Sequence, residues 1–430
     1  MNVHSEFFLT LNDCSVYLAS TMEIKNIKKA IFAASVLAAT TAFGAGFQVL
    51  EQGASNMGTS MAGATVNANN DASAAYLNPA AVSFIDMEVG QTMVSTGLSA
   101  VLPTLGMSKD GENYDCARNS FVPNIFTVHR FTEELYGSLS ITAPFGLESE
   151  YESNWIGRLD GIHSYMLTID INPSLTYKLN DWLTIGGGVS AQYAYCKLTQ
   201  GFAAVPFGEA IALNANGWGV GGNIGFTVEY AEGGRFGFQW RSEVCQDVDG
   251  TFRFMGVDQG DITASVTLPQ TFTFGIYQRL WGDLENFAVM ADYSYTAWSC
   301  FENLDVYQGS SMISHTVENW KDTSRVSVGV HYYPEEIEDL TLRFGVCYDE
   351  SPVKGAEYRT VRIPCSDRLW FSTGFGYNLA ENIKLDMAYV YIMTIGNSEI
   401  APSQYGGSAG DSAHYYGHIH VVSAQLSFLF

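Results

Sequence analysis

Apolar and polar positions alternate with period two through most of the chain beyond its N-terminal part. In the run Lys384 to Thr394, Leu385, Met387, Tyr389, Tyr391 and Met393 share one face, while Lys384, Asp386, Ala388 and Thr394 lie on the other. Val326, Val328, Val330 and Tyr332 oppose Arg325, Ser327, Gly329 and His331, and Phe236, Phe238 and Trp240 oppose Arg235, Gln239 and Arg241. Successive side chains of a strand point to opposite faces, so each run predicts a strand lying between two media. Ionisable residues on one face and aromatics on the other suit a polar lumen inside and lipid outside. No apolar run in this part reaches the ~20 residues that a membrane-spanning helix needs. A soluble barrel or sandwich has the same period, so the connections between strands must decide.

Short polar joints fall near Thr132 to Glu134, Leu179 to Asp181, Ala231 to Gly234, Gly282 to Glu285, Pro334 to Asp339 and Ala380 to Asn382. Longer stretches lie between them, near Thr104 to Arg118, Gly146 to Gly161, Gln200 to Asn216, Cys245 to Asp261, Asn303 to Glu318, Glu350 to Asp367 and Gly396 to His418. Short turns alternating with long loops mark outer-membrane barrels. Six joints and seven loops predict about fourteen antiparallel strands in an all-β transmembrane barrel over residues 86–430. The last strand alternates Val422, Ala424, Leu426, Phe428 and Phe430 with Ser423, Gln425 and Ser427. It resembles the terminal strand by which the barrel assembly machinery recognises outer-membrane proteins, with Phe430 as the recognised end.

Composition supports that reading. Only 15% of the 430 residues are charged, against about 25% in ordinary soluble proteins, and 47% are hydrophobic. Lys and Arg number 21 against 45 Asp and Glu, a net charge of −24, which leaves no basic surface for nucleic acid. Near the N-terminus, Lys25, Lys28 and Lys29 precede an apolar stretch from Ala30 to Phe43 and the small residues Gly44, Ala45 and Gly46. That order is the one a secretory signal has, here over residues 22–44, with 1–21 as an upstream extension and Ala45 as the first mature residue. Of the seven cysteines, Cys14 precedes the signal, and the other six show no metal or redox spacing. Disulfides and isolated apolar thiols both stay open for them.

Residues 45–85 alternate little and are rich in Gly, Ala, Ser and Asn. Such a segment cannot face lipid, where every backbone group needs a partner, so it belongs inside the lumen or in the periplasm. Its residues Ala45-Gly46-Phe47-Gln48, then Gly58, Gly63 and Asp71, then Asn78-Pro79-Ala80, are similar to the N-terminal hatch of the FadL/TodX-type outer-membrane transporters of long-chain fatty acids and hydrocarbons. Ala143-Pro144-Phe145-Gly146, and Pro173 to Tyr177 continuing into Gly186-Gly187-Gly188, extend the resemblance along the chain.

The resemblance implies a monomeric fourteen-stranded barrel in a Gram-negative outer membrane, plugged by residues 45–85. It implies passive transport of hydrophobic small molecules, most of all long-chain fatty acids, with outer-membrane lipid as the receiving phase and no cofactor or metal. Ala45 would lie near an interior binding site, Asn78, Pro79 and Ala80 would belong to a movable hatch, and Pro144, Phe145 and Gly146 would border a lateral opening. Pro144 lacks an N–H for a strand ladder and Gly146 weakens pairing, so replacing Pro144 by a ladder-competent residue is expected to seal the wall. A plain strand end at Pro144 stays open as well.

The outer stretch from Gly201 to Gly217 carries Phe202, Val205, Phe207, Ile211 and Leu213, apolar residues that suit a capture groove or a lid over the mouth. For a carboxylate ligand, Arg158, Arg241, Arg253, Arg325 and Arg343 are candidate cations, and pairing with an acidic neighbour is the other use of each. Gly406 to Gly410 matches the hydrolase G-x-S-x-G without its strand-turn-helix setting. Gly217, Gly219 and Gly222 match a dinucleotide fingerprint with no helix to follow. His414, His418 and His420 lack a carboxylate or Cys partner at metal-ligand spacing. A lipid-acting enzyme such as a phospholipase, and a surface adhesin or receptor, are the alternatives to transport.

Overall fold

In the computed structural model, residues 45–430 are described; the expected signal, the upstream extension and Cys14 lie outside them. Fourteen antiparallel strands close into a barrel, as the alternation requires. They are β1 (Thr92–Lys109), β2 (Ser120–Arg130), β3 (Leu135–Thr142 and Gly146–Glu150), β4 (His163–Lys178), β5 (Leu183–Gln200), β6 (Ile211–Ala231) and β7 (Gly234–Arg241 and Val244–Phe254). Then follow β8 (Val257–Leu268 and Thr271–Arg279), β9 (Phe287–Thr296 and Asn303–Gln308), β10 (Ser311–Val317 and Thr323–Tyr332), β11 (Leu340–Asp349), β12 (Asp367–Ala380), β13 (Ile383–Ile395) and β14 (Ala413–Leu429). β14 pairs with β1 from Met93↔Leu429 to Lys109↔Ala413, which removes the free edges that a sheet in lipid could not tolerate. Among the described residues no helix is long and apolar enough to cross a membrane.

The two faces behave as their sequences dictate. Val326 and Val328 are exposed outward, and Ser327 and His331 are buried in the lumen. The six short joints stand where expected. In one, the Asn180 side chain accepts from the N–H groups of Trp182 and Leu183, and another turns at Gly233 with φ +65°.

Three of the seven expected loops are corrected. Thr104 to Arg118, Cys245 to Asp261 and Asn303 to Glu318 are largely strand, folded as tight hairpins about residues 110–111, 255–256 and 309–310. They continue the wall beyond the apolar band, and with water on both faces the strands lose the contrast that made the others readable. Ile211 and Leu213 belong to β6 for the same reason: they pair with Gln200 and Leu198 of β5 and are not loop residues.

Residues 45–85 lie within the ring and touch strands all round it. Short helical turns at Ala54–Met57, Ala64–Val66, Ala74–Leu77 and Pro79–Phe84 satisfy their own backbone groups. Small residues permit the close fit: a Cβ on Gly345 of β11 would collide with the backbone of Thr59. Side chains of the wall tie the segment down. Asp292 of β9 accepts from Gly63 N, Thr65 N and Thr65 Oγ1, at 2.5, 3.1 and 2.5 Å. Ser60 Oγ is 2.6 Å from Ser372 Oγ of β12, and Lys384 Nζ of β13 donates to Asn69 O at 2.6 Å.

Candidate functional site

Everything that distinguishes this barrel from a plain wall converges on the break in β3. Below the break Thr142 pairs with Asp170 of β4, and above it Gly146 pairs with Leu167. Ala143, Pro144 and Phe145 therefore face only Thr168 and Ile169, one residue too many, and the surplus is pushed inward as a bulge. The break thus comes with a surplus residue on β3 as well as with a Pro144 that has no N–H for the ladder.

The N-terminal segment receives the bulge. Val49 N donates to Pro144 O at 2.8 Å, Gly146 N donates to Phe47 O at 2.9 Å, and Gln48 and Phe145 form a β-bridge. Thr168 Oγ1 closes the remaining groups, accepting from Phe145 N at 2.9 Å and donating to Phe145 O at 2.8 Å. On the other side, the pairing of β2 with β3 runs only from Arg130↔Tyr136 to Ile125↔Ile141. The outer piece Gly146–Glu150 pairs with β4, not with β2, until Glu150 N reaches Cys116 O at 3.0 Å. The ladder between β2 and β3 thus has a gap beside the bulge.

Inside the gap, Phe47 and Phe145 join Trp298, Phe301 and Trp320 in an aromatic cage, with ring centroids 4.8 to 6.0 Å apart around Phe47. A cavity of about 70 Å³ adjoins it, lined by Val49, Tyr76, Phe145, Leu268 and, as polar members, Asp292 and Arg325. Ligand sites for drug-sized molecules span about 300–1,000 Å³, so this cavity is smaller than such a ligand needs.

Ala45 sits where polar groups gather: its N–H donates to Asp349 Oδ2 at 3.0 Å. Arg368 Nη1 is 3.9 Å from the same oxygen, and Arg368 Nε and Nη1 make no hydrogen bond although the residue is 4% exposed. Sequence reading missed Asp349 and Arg368, which stand at the outer ends of β11 and β12 and come together with Ala45 only through barrel closure. Trp298 and Trp320 were the available signal for the cage, being large aromatics in otherwise polar outer connections.

The other expected residues are placed as follows. Asn78, Pro79 and Ala80 are anchored on the wall: Asn78 Nδ2 donates to Phe226 O at 3.3 Å, and Thr176 Oγ1 donates to Pro79 O at 2.6 Å. Gly186 leaves the room they need, since a Cβ there would stand 2.7 Å from Ala80 N. Phe202 and Phe207 are exposed and Val205 is half-buried in the connection between β5 and β6. Gly201 N donates to Arg158 O at 2.7 Å, and Arg158 Nη1 reaches Phe202 O at 3.4 Å. The exposed Ile156 and Leu159 flank Arg158 and enlarge the apolar surface of these two outer connections beyond what the sequence singled out.

Among the remaining arginines, Arg241 pairs with Asp170 at 3.4 Å and Arg343 with Asp386 at 2.7 Å, in the lumen. Arg325 donates to Ser294 and Ser327 at the cavity, and Arg253 is exposed on the outer hairpin. His418 and His420 stack with Tyr389 and Tyr391 on the outer face of the wall. Glu148, Glu150 and His163 bring ligand atoms within 4.8 Å of one another, but Arg118 Nε is 2.7 Å from Glu150 and Lys197 Nζ 3.3 Å from His163, so cations of the chain hold two corners of that group.

Beside the cage, Glu318 is buried and accepts from Trp320 Nε1 at 3.1 Å. Burial pushes its carboxyl up to about 8 from an ordinary 4.5. Between those two values the folded chain holds a proton that the unfolded chain has lost, so this group's stabilisation is full below about pH 4.5 and is lost as the pH rises through about 8. The wild-type barrel is therefore expected to unfold at lower temperature at about pH 9 than at about pH 5, and Glu318→Gln should flatten that difference. Heat-modifiable mobility on gels reads both; parallel profiles would clear Glu318 of the effect.

Comparison with known proteins follows the same lines. Residues 35–430 match the sequence profile of the family described as outer membrane protein transport protein (OMPP1/FadL/TodX). The long-chain fatty acid transport protein of Escherichia coli O6:H1 (strain CFT073) is 28% identical over 416 residues, covering 85% of this chain and 90% of its own length. Outer membrane protein P1 of Haemophilus influenzae is 26% identical, covering 84% of this chain and 88% of its own. Among solved structures, a Pseudomonas aeruginosa FadL homologue superposes with a TM-score of 0.76 at 20% identity, over 89% of this chain and 99% of its own. The Ralstonia pickettii toluene transporter TbuX gives 0.62 at 20% identity, over 88% and 99%.

Proposed function

Because the chain belongs to the FadL/TodX family of outer-membrane transport proteins, we propose that it carries long-chain fatty acids passively across the outer membrane and releases them sideways through the barrel wall. The observation that carries this reading is the gap between β2 and β3, which stands beside an aromatic cage rather than at a pore. A hydrophobic solute gains about 25 cal/mol per Å² of apolar surface removed from water, so each apolar station on the route holds it without an energy source. The first station is the outer surface of Phe202, Phe207, Ile156 and Leu159, with Val205 at its edge. The second is the cage once Ala45 to Gln48 withdraw, and the last is lipid itself, reached past Phe145.

Fatty acids are favoured over neutral hydrocarbons by Arg368. A buried guanidinium whose Nε has no hydrogen-bond partner and whose Nη1 stands 3.9 Å from Asp349 meets a carboxylate with charge-assisted hydrogen bonds, which toluene cannot supply. Arg368→Gln is expected to lower oleate uptake at low concentration by about tenfold and to leave toluene uptake unchanged. Equal losses for both would assign Arg368 to the fold. The enzyme alternative is set aside, since members of this family are transporters or channels.

The reading as a whole is tested by uptake of labelled oleate and of toluene in cells lacking their own transporter. Saturable oleate uptake that weakens when residues 202–209 are removed supports loop capture and transport together. A correctly assembled barrel that takes up neither compound would overturn the proposal.

A further inference from the structure

At the level of the break, the lumen face carries a row of polar side chains with nothing to bond. Gly97 of β1 pairs with Asn124 of β2 on one side and with Gln425 of β14 on the other, so two amides flank a residue without a side chain. Thr142 of β3 stands next to Asn124 in register, one step past the last rung of the β2–β3 ladder at Ile125↔Ile141. Asn124, Gln425 and Thr142 are each at most 2% exposed. Asn124 Oδ1 and Nδ2, Gln425 Oε1 and Nε2 and Thr142 Oγ1 nevertheless have no hydrogen-bond partner among the described residues. Polar atoms that are both buried and unbonded are costly, and here they gather at the gap. The N-terminal segment reaches the same place. Gln52, 1% exposed, donates from Nε2 to Ala143 O of the bulge at 2.8 Å, while its Oε1 is unbonded. Gln52 also lines the cavity of about 70 Å³, so an amide of the chain itself fills the inner end of the gap beside that cavity.

The row is uncharged, and its ends are negative. Gln425 pairs next with Asp386 of β13, and Thr142 with Asp170 of β4. The cations there are engaged: Arg343 and Lys384 stand 2.7 and 3.7 Å from Asp386, and Arg241 stands 3.4 Å from Asp170. Glu51, next to Gln52 in the chain, is buried with neither carboxyl oxygen bonded. An anionic head group would meet carboxylates without a spare cation, whereas an uncharged one meets amides and a hydroxyl that lack partners. A protonated carboxyl presents a donor and an acceptor side by side, as a primary amide does, and so matches what Gln52 offers to Ala143 O.

We propose that the inner end of the gap is a head-group site that receives long-chain carboxylic acids in their protonated, uncharged form, in the place held by the Gln52 amide. The inference rests on the transport reading and gives it a polar station after Arg368. The acid O–H donates to Ala143 O, and its carbonyl oxygen accepts from Asn124 Nδ2. Between the two stations the carboxylate takes one proton from a hydronium ion of the solvent, which yields the neutral acid and water. The charge is then gone before the molecule enters lipid, where burying it would cost most.

A long-chain primary amide is the probe, since it has the same donor and acceptor and stays uncharged. The full-length protein in detergent is irradiated with a palmitamide analogue carrying a diazirine next to its head group, and adducts are mapped by peptide mass spectrometry. They are expected on Asn124 and between Thr142 and Phe145. Gln52→Ala, which removes the competing amide, should raise their yield about threefold at limiting probe. Asn124→Leu keeps the size of the side chain and should lower the yield about tenfold, with heat-modifiable mobility as in the wild type, because that amide bonds nothing in the protein. Adducts confined to other residues overturn the inference, as does a yield unmoved by Asn124→Leu. Absence of adducts from the row means that its atoms hold water only, and overturns it too. Should Asn124→Leu fail to fold, the wild-type map and Gln52→Ala decide. Oleate uptake by cells carrying the same proteins separates the two readings: adducts without uptake leave the site and sink transport, whereas uptake without adducts does the reverse.

Discussion

Deleting Pro144 is expected to abolish uptake of hydrophobic compounds while leaving a folded barrel in the outer membrane. The reason is register. Thr142↔Asp170 and Gly146↔Leu167 enclose three residues on β3 and two on β4, so removal of one residue lets the strand pair without interruption. A continuous β3 offers ladder groups to β2 above Ile125, and the wall closes. The loss should exceed tenfold, roughly the least effect expected if the break is the exit. Pro144→Val keeps the count of residues and should keep the break, so it is the matched control with transport near wild type. Surviving uptake in the deletion, with heat-modifiable mobility intact, would move the exit elsewhere in the barrel.

The second large effect is expected at Gly46. This residue has φ +67°, a conformation that costs a side-chain-bearing residue roughly 1–2 kcal/mol. A Cβ there would stand 2.7 Å from Trp320 and 2.8 Å from Trp298, two fully buried rings with nowhere to go. Gly46→Val therefore cannot keep Ala45 to Gln48 in place, and it loses the Ala45 N bond to Asp349 and the Gln48 bridge to Phe145 together. If that segment is the barrier inside the barrel, cells carrying Gly46→Val should admit a hydrophobic antibiotic about tenfold more readily, without saturation. Unchanged entry would mean that residues beyond Gln48 form the barrier.

How far the sequence carried these arguments depends on what each residue faces. Val326 to Tyr332 reads as a strand because lipid and lumen demand opposite chemistry of its two faces. The hairpins at 110–111, 255–256 and 309–310 continue the same strands into water, where Asp249 and Thr251 serve as well as any apolar residue, so they read as loops. Ile211 and Leu213 mislead in the other sense: they are apolar enough for a capture loop but are held in β6 by pairing with β5. Pro144 lies at the break in β3, where the surplus residue is a count across two strands that no single strand displays. The group Ala45, Asp349, Cys365 and Arg368 is invisible in order of sequence, since only the closed ring brings Ala45 to the outer ends of β11 and β12.

The fastening of the N-terminal segment has a consequence for the cell. Asp292 of β9, Ser372 of β12 and Lys384 of β13 each hold it, so the loss of any one contact leaves the others to keep it seated. A bacterium could then carry a point mutation at any one of these anchors without giving up the segment as a whole.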